Sequence, residues 1–295
     1  MTATLNGGFP YFRTFSALPG TDISRKYNNI GNILNCRTRK MFNMVSVKKP
    51  YYGNWVSKRL VLMPVLIGLA LLVIALLFPM LVLLAIVFLL IAAYFAYARR
   101  MFSARGGNVQ NKIYDLVLAN LAWNGQGKLL DIGCGSAALT IKLAKKYPNA
   151  RLTGVDFWGH NWSYSKKICE KNAAAEGVSD RVTFQKASAM KLPFEDETFD
   201  AVVSNLTFHE VRDAKDKKEL IREALRVLKK GGKFTFQDLF LVKKAYGTPE
   251  ELVKTIKGWG ISEVKFVDTH KESFIPRALR MPFMVGPIGI ITGKK

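Results

Sequence analysis

One stretch of the sequence, GKLLDIGCGSAALTIKLAKKYP at residues 127–148, combines residue types suited to binding a small ligand. Its pattern predicts an apolar strand, a glycine-rich turn and an amphipathic helix. Gly133 and Gly135 allow the backbone of the turn to approach a ligand closely, because glycine lacks a Cβ atom. Asp131 places a carboxylate at the end of the strand, just before this turn. The stretch therefore predicts a binding loop that presents a negative charge.

The charge of Asp131 discriminates between two kinds of ligand. Gly133, Gly135 and Ala138 also satisfy the G-x-G-x-x-G/A pattern of a dinucleotide fold, but a carboxylate would repel the phosphates of a dinucleotide. S-adenosylmethionine carries an ammonium group and a sulfonium, and no phosphate. We therefore expect S-adenosylmethionine as the cofactor, with Asp131 facing its methionine end. A purely structural alternative stays open, in which Asp131 caps the turn by accepting backbone N–H bonds.

A second stretch, RLTGVDFWG, ends the next predicted strand with Asp156. A carboxylate at this position suits the acceptance of hydrogen bonds from both hydroxyls of a ribose. Phe157 and Trp158 follow at once and are placed to flank an adenine. For Trp158, packing against the next helix is the alternative.

Strands and helices alternate from residue 128 onward. The predicted strands cover 128–132, 151–157, 181–187, 199–206, 233–241, 262–269 and 288–295, and the predicted helices cover 137–147, 163–177, 217–230 and 248–260. This alternation predicts an α/β fold with a parallel sheet and helices on both faces. Ligands of such sheets bind at the carboxyl ends of the strands, where the strand order reverses.

Five motifs, taken in order, resemble the class I S-adenosylmethionine-dependent methyltransferases, particularly the branch resembling menaquinone and ubiquinone biosynthesis enzymes. They are LLDIGCGSA, VDFW, ASAMKLPFEDETFD, VVSNLTFHEV and EALRVLKKGGKF. The resemblance covers roughly residues 109–295. It implies a Rossmann-like, seven-stranded, mostly parallel sheet, and a methyl transfer reaction that uses S-adenosylmethionine.

The resemblance also assigns cofactor-binding roles residue by residue. In this family an acidic residue of a Gly-Asp-Ala turn usually meets the adenine, whereas residues 187–189 read Ala-Ser-Ala and place Ser188 at the acidic position. A hydroxyl accepts a hydrogen bond from the adenine amino group more weakly than a carboxylate does. The expected cofactor-binding residues are Asp131, Gly133, Gly135, Asp156, Phe157, Ser188, Ala189 and Asn205. No metal site is expected.

The acceptor side is predicted from the histidines. His209 lies just past the fourth predicted strand, where the family places residues that face the methyl group. Its near-neutral pKa suits removal of a proton from a hydroxyl, and a base is needed only if the acceptor is protonated. Glu210 is a second candidate for this role. His160 lies in the aromatic loop DFWGHNWSY and either lines the acceptor pocket or lies on the surface.

From Leu60 to Ala98 the sequence has no charged residue and no Ser, Thr, Asn or Gln. This length fits two membrane spans of about 18 residues each, joined near Phe78, Pro79 and Met80. Lys and Arg residues flank both ends, which predicts an even number of crossings and a catalytic domain that faces the cytoplasm. A hairpin that enters one leaflet, and a buried helix pair in a soluble protein, are the alternatives.

The chain carries a formal net charge of +22, which implies attraction to an anionic partner. Residues 1–59 hold ten Lys or Arg residues and a single acid, Asp22. We expect the first forty residues to be disordered, either as a transit peptide or as an extension upstream of Met41 or Met44. The basic block 40–59 with Tyr51, Tyr52 and Trp55 is predicted to anchor on anionic lipid headgroups, or else to be a solvated basic tail.

The sequence thus predicts a basic segment at 1–59, a transmembrane hairpin at 60–98, and a linker and methyltransferase domain at 99–295. The acceptor is expected to be a small molecule, and the adjacent spans favour a lipid. The loop at 274–287 either guides such a lipid or packs on the domain. Two alternatives are an NAD(P)-dependent oxidoreductase and a methyltransferase acting on RNA. Nucleic acid is the less favoured partner, because much of the positive charge lies beside the spans.

Overall fold

The structure, a computed structural model, describes residues 49–159 and 164–295. The expected disordered segment, with Met41 and Met44, and the histidine His160 lie outside the described residues. Two helices come first, α1 (Lys58–Ile74) and α2 (Leu81–Phe102), and a third, α3 (Val109–Asn120), leads into the sheet.

Seven strands form one sheet, in the order β3-β2-β1-β4-β5-β7-β6. The strands are β1 (Gly127–Ile132), β2 (Ala150–Asp156), β3 (Val182–Lys186), β4 (Phe199–Asn205), β5 (Leu228–Asp238), β6 (Glu263–Asp268) and β7 (Gly289–Lys294). The helices between them are α4 (Ala138–Lys146), α5 (Lys166–Ala175), α6 (Lys218–Arg226), α7 (Lys243–Tyr246) and α8 (Pro249–Gly258). Strand β7 runs antiparallel to β5 and β6, and the other neighbours are parallel. The predicted Rossmann-like, mostly parallel sheet is confirmed.

Two apolar clusters cover the two faces of the sheet. Neighbouring residues of a strand point to opposite faces, and Leu129 and Leu130 of β1 are both fully buried in different clusters. Leu129 packs with Leu139 of α4, and Leu130 packs in the cluster that holds Ile221 of α6 and Leu252 of α8. The predicted helices on both faces of the sheet are therefore present.

The end of helix α6 differs from the sequence prediction. The pattern predicted a helix through Lys230, stopped by two glycines, but the helix ends at Arg226. Leu228 instead begins β5 and pairs with Phe199 of β4. Leu228 is fully buried there, so its pairing with the sheet outweighs the helical preference of the residues around it.

The strand order reverses at β1, which pairs in parallel with both β2 and β4. Asp131 of β1 pairs with Gly154 of β2 and with Val203 of β4. Side chains two residues apart on a strand share a face, so Asp156 and Asn205 lie on the same face as Asp131. The reversal point therefore gathers three predicted cofactor-binding residues at one edge of the sheet.

Helices α1 and α2 form a hairpin that packs through small side chains. A Cβ atom at Gly68 would lie 2.9 Å from the Leu89 side chain and 3.3 Å from the Ala85 backbone oxygen. Small residues that allow such close approach are typical of helix pairs in membranes. The outward side chains are large, apolar and exposed, with Leu66 at 61% and Leu83 at 73%. By length and composition, one of the described helices, Leu81–Phe102, is suited to cross a membrane.

The end of the hairpin packs on the domain in a third apolar cluster. Ala98 and Phe102 of α2 are buried there against Ile275 and Leu279 of the loop that follows β6. Trp55, before α1, also packs inward, with its ring centroid 5.5 Å from that of Phe102, whereas Tyr51 is 62% exposed. This differs from the predicted role of Trp55 as a lipid anchor, because its ring is engaged by the protein itself.

Candidate active site

The turn after β1 requires glycine at position 133 and favours glycine at position 135. The Gly133 N–H donates to the Val155 backbone oxygen over 2.8 Å, and φ of Gly133 is +74°. A Cβ atom at Gly133 would lie 2.0 Å from Thr207 Oγ1, so only glycine fits between β1 and the loop after β4. Gly135 also has positive φ, +56°, which favours glycine for its backbone conformation.

Asp131 lies in β1, two residues before Gly133, and is 1% exposed. Thr140 Oγ1 of α4 donates a hydrogen bond to Asp131 Oδ2 over 2.6 Å. Burial raises the pKa of Asp131 to about 7, although the bonds from Thr140 oppose this rise, and the nearby Asp156 adds to it. The charge on this carboxylate is thus sensitive to any cation placed beside it. Its role toward the cofactor stays a prediction.

Asp156 binds the backbone of the turn. The Gly135 N–H donates to Asp156 Oδ2 over 2.8 Å, and the Trp158 N–H donates to Oδ1 over 2.7 Å. Trp158 Nε1 in turn donates to the Gly135 oxygen over 3.0 Å, so the Trp158 ring packs on the turn. Burial raises the pKa of Asp156. Each of its oxygens retains accepting capacity for a ribose hydroxyl.

The residues expected around the adenine differ in their surroundings. The Phe157 ring is 62% exposed, with Lys186 Nζ 5.1 Å from its centroid. Ser188 Oγ accepts a hydrogen bond from the Met190 N–H over 3.2 Å. The methyl group of Ala189 is buried in the cluster around Leu130, so only the Ala189 backbone is available to a ligand.

Two buried amide oxygens on adjacent strands lack hydrogen-bond partners. Asn205 of β4 pairs in register with Gln237 of β5, so the two side chains share the face of Asp131. Among the described residues, none forms a hydrogen bond with Asn205 Oδ1 or Gln237 Oε1. Buried polar atoms are nearly always paired in proteins, and a bound polar ligand is one way to pair them. Sequence reasoning selected Asn205 and missed Gln237.

Residues 50–57, which we call the strap, lie on the glycine turn. Asn172 of α5 accepts from the Tyr51 N–H over 2.8 Å and donates to the Tyr51 and Ser136 oxygens over 2.8 and 2.9 Å. Ser136 Oγ of the turn donates to the Tyr52 oxygen over 3.0 Å. The strap therefore supports the glycine turn from outside the motifs quoted above, and no sequence signal pointed to this contact.

His209 lies in a short 3₁₀ helix, Phe208–Glu210, just past β4. Its Nδ1 lies 2.8 Å from Oδ1 of Asp238, which ends β5 and is fully buried. Its Nε2 lies 3.4 Å from Glu210 Oε1, and the His209 side chain is 25% exposed. The two acceptor-side candidates from the sequence are therefore in contact with each other.

The charges around His209 control its protonation. Burial lowers the pKa of His209, but the charge and hydrogen bond of Asp238, together with Glu210, reverse this effect and raise the pKa to about 10. The same contact with His209 lowers the pKa of Glu210. Without a cationic ligand nearby, His209 is an imidazolium at neutral pH.

Asp238 is a functional candidate that sequence reasoning missed. Its Oδ2 accepts from the N–H groups of Thr207 and Phe208 over 3.0 and 2.7 Å, and its Oδ1 accepts from the Leu239 N–H over 2.7 Å. These bonds shape the loop that carries His209. The available signal was a carboxylate at the end of an apolar strand in FTFQDLF, the same pattern that singled out Asp131.

The residues present fit S-adenosylmethionine. Gly133 and Gly135 present a turn with positive φ, Asp131 places a buried carboxylate just before it, and Asn205 has an unpaired oxygen. A carboxylate and amide oxygens suit a ligand that carries an ammonium group and hydroxyls and no phosphate.

Comparison with known proteins agrees with this geometry. Residues 130–236 match the family model described as a methyltransferase domain. The 27-O-demethylrifamycin SV methyltransferase of Amycolatopsis mediterranei is 32% identical over 165 residues, which cover 54% of this chain and 56% of the relative. The ubiquinone/menaquinone biosynthesis C-methyltransferase of Desulfotalea psychrophila is 31% identical over 145 residues, which cover 45% of this chain and 54% of the relative.

A solved structure of geranyl diphosphate methyltransferase in complex with S-adenosylmethionine shares the fold. Its TM-score is 0.50 at 15% identity, and the match covers 63% of this chain and 86% of that chain. The chain spans about half the length of the curated relatives it matches. The similarity to a methyltransferase domain covers residues 130–236. These comparisons support the predicted enzyme class and cofactor, and they give no support to the oxidoreductase alternative.

Proposed function

We propose that this protein is a membrane-attached methyltransferase that transfers a methyl group from S-adenosylmethionine to a lipophilic small molecule. The α1–α2 hairpin would be embedded in the bilayer, and the catalytic domain would lie on the cytoplasmic side. Positive residues lie where the chain enters and leaves the hairpin, as Lys58 and Arg59 at the start of α1 and Arg99 and Arg100 near the end of α2. They support this orientation, because positive residues favour the cytoplasmic side.

One observation carries the proposal: the hairpin packs on the loop that borders the acceptor side of the site. Phe102 of α2 and Leu279 of this loop share an apolar cluster with Leu206 and Leu239. Leu206 directly follows Asn205, and Leu239 directly follows Asp238. A molecule dissolved in the bilayer would therefore find the reaction site next to the helices that hold the enzyme there.

The names of relatives agree with a lipophilic acceptor. One is the ubiquinone/menaquinone biosynthesis enzyme described above. Another is the sterol 4-C-methyltransferase of Caenorhabditis elegans, which is 32% identical over 127 residues that cover 43% of this chain and 35% of the relative. Quinones and sterols are both membrane-soluble molecules.

Asp131, Asp156 and Asn205 would hold the cofactor, with the backbone of Gly133 and Gly135 beside it. When bound, S-adenosylmethionine supplies a methyl group already activated on a sulfonium, so the protein mainly aligns donor and acceptor. A positive charge near Asp131 would favour the ionised carboxylate, because opposite charges stabilise each other.

His209 would accept a proton from an acceptor hydroxyl. Asp238 accepts the Nδ1–H bond, which leaves the Nε2 lone pair as the base in the neutral ring. The raised pKa means that His209 must first lose its Nε2 proton, and the positive charge of a bound sulfonium would favour that loss. Glu210, beside Nε2, would position the ring or receive this proton.

The cofactor is tested by calorimetric titration of the full chain in mild detergent with S-adenosylhomocysteine, beside an Asp131→Ala variant and an NADH control. The full chain is used because the strap contacts the glycine turn. Micromolar binding that Asp131→Ala weakens tenfold or more, about 1.4 kcal/mol, is the expected result. Failure of a folded protein to bind, or binding of NADH alone, contradicts the proposal.

Membrane attachment is tested with a triple variant, Leu66→Lys, Val73→Lys and Leu83→Lys, on outward faces of the hairpin. A lysine costs about 2.5–3.5 kcal/mol at the centre of a membrane-spanning helix, where Leu66 lies, and less toward the helix ends, where Val73 and Leu83 lie. The variant should therefore leave the membrane fraction in an alkaline wash. The control replaces three exposed polar residues of the domain, as Gln126→Lys, Asn149→Lys and Ser262→Lys. Equal retention of both triple variants would show that the hairpin does not hold the protein in the bilayer.

A further inference from the structure

An apolar groove runs between helix α2 and the loop that follows β6. Leu90, Tyr94 and Phe95 line it on the helix side, and Ala278, Met281 and Phe283 line it on the loop side. Its volume is about 560 Å³, which lies within the usual range for sites that hold a small molecule.

The side chains that line the groove suit an apolar ligand. The hydroxyl of Tyr94 donates to the Ala278 backbone oxygen over 2.9 Å, so this polar group is already engaged. The Tyr94 and Phe283 rings meet edge to face with centroids 6.0 Å apart and join the two walls. The other lining side chains are hydrocarbon or thioether, so the groove offers contact area and little hydrogen bonding.

The position of the groove places it within the hydrocarbon layer of the proposed membrane orientation. The groove extends from Val87 to Phe95 on α2, roughly 8 to 20 Å along the helix from Arg100. Arg100 and Arg277, which precedes Ala278, are exposed near its domain end. An amphiphile in the groove would keep its chain in the bilayer and its polar end toward the domain.

The loop that forms one wall also borders the reaction site. Its buried side chains Ile275, Leu279 and Val285 pack in the cluster that contains Leu206 and Leu239. The groove and the acceptor side of the site therefore lie on two sides of the same loop.

Building on the proposed function, we propose that this groove binds the hydrocarbon chain of the methyl acceptor, an amphiphilic lipid with a linear or isoprenoid chain. The chain lies along Tyr94 and Met281, and the polar head extends past the edge of the loop toward the strand ends that carry His209 and Asp238. Because this one loop borders both the groove and the site, the acceptor is favoured over a bulk phospholipid as the occupant.

The test uses the full chain in phosphatidylcholine nanodiscs with hexadecanoic acid that carries a mid-chain diazirine as the photoactivated probe. Ala278 is exposed, so Ala278→Trp fills the groove without entering the core. Met281→Trp is a second filling variant, from a side chain that is 43% exposed. Leu83→Trp is the matched control on the same helix, since Leu83 is 73% exposed and lies outside the groove.

Labelling is expected on peptides that contain Tyr94 and Met281. Tenfold excess of unlabelled hexadecanoic acid should reduce it to about a tenth, and both filling variants should reduce it at least fivefold. Leu83→Trp should leave it unchanged. Methyl transfer to a lipid extract should fall in both filling variants while S-adenosylhomocysteine affinity is retained.

Three results would overturn this proposal. They are labelling spread evenly over α2 and insensitive to competitor, labelling unchanged by both filling variants, and a crosslinked dimer that shows a second copy covering the groove. The proposed function is judged separately, by S-adenosylhomocysteine binding in the same nanodiscs. A labelled groove without that binding refutes the methyltransferase proposal, and binding without a labelled groove refutes the groove alone.

Discussion

The imidazole of His209 and the carboxylate of Asp238 form a hydrogen bond of 2.8 Å that joins the ends of two adjacent strands. His209 follows β4, and Asp238 ends β5, so the parallel pairing of these strands brings the two side chains together. The buried carboxylate fixes the ring orientation and holds a proton on Nδ1.

The first prediction concerns stability against pH. Because the folded pKa of His209, about 10, exceeds the unfolded value of 6.5, the folded state binds the extra proton between these values. This contribution to the free energy of unfolding is complete below pH 6.5 and is lost as pH rises toward 10. Thermal unfolding of the full chain in detergent should therefore show falling stability over this window.

His209→Gln is the control for this prediction, since it removes the titrating group and retains a side chain of similar length. Its unfolding temperature should vary less with pH between 7 and 10 than that of the unsubstituted protein. Parallel pH profiles for the two proteins would show that His209 does not titrate in this window.

The second prediction concerns cofactor binding against pH. The pKa of Asp131 is about 7, and the ionised form favours the ammonium group of S-adenosylhomocysteine. Affinity should therefore rise from pH 6 to pH 8, approaching tenfold per pH unit on the acid side. Asp131→Asn should bind more weakly and lose much of this slope, and an unchanged slope in calorimetric titrations would show that another group is responsible.

The third prediction compares two glycines with similar backbone conformations. Gly133 and Gly177 have φ of +74° and +70°, but an added Cβ meets Thr207 at 2.0 Å in the first case and nothing within 4 Å in the second. Gly177→Ala should cost about 1–2 kcal/mol of unfolding free energy from the backbone alone. Gly133→Ala should cost more and abolish S-adenosylhomocysteine binding. Equal costs would show that the loop after β4 moves away freely.

The fourth prediction concerns the strap. Asn172→Ala leaves both Tyr51 backbone groups and the Ser136 oxygen without their partner, at about 1–3 kcal/mol for each group that stays buried. The affinity for S-adenosylhomocysteine should fall at least tenfold, because Ser136 belongs to the glycine turn.

Tyr52→Phe serves as the control for the strap, because it removes only the bond of Tyr52 to Glu176. This variant should lose about 1 kcal/mol of stability and keep its affinity within twofold. If Asn172→Ala unfolds at a lower temperature but binds the ligand as before, the strap has no part in the cofactor site.

Much of the fold was predictable, because local signals and burial agree. Helix α8 is an example, since Thr248, Pro249 and Glu251 form a capping box with proline at the first helical turn, and the structure has both cap bonds, of 3.2 and 2.8 Å. The alternating strands likewise follow from apolar runs, the first of which ends at Gly133. The predicted end of α6 was wrong, because the burial of Leu228 in the sheet leaves no local pattern in the sequence.

Site residues were predictable where a polar residue type and a position at the end of an apolar strand together indicate its role. Asp131, Asp156 and Asn205 each lie at or next to the end of a recognisable strand, and the structure places them at one edge of the sheet. Gln237 and Asp238 also end a strand. Their place in the site depends on the register between β4 and β5, which the spacing of residues in the sequence does not predict. The hydrogen bonds between the strap and α5 join distant parts of the chain, so local sequence patterns do not predict them.

The bond between Tyr51 and Asn172 spans 121 residues of sequence. During synthesis the strap and hairpin leave the ribosome well before helix α5 exists, so this contact closes late. If the hairpin enters the bilayer as proposed, it does so before α5 can fix the strap on the glycine turn. The protein would then gain its complete ligand-binding loop only after it has reached the membrane.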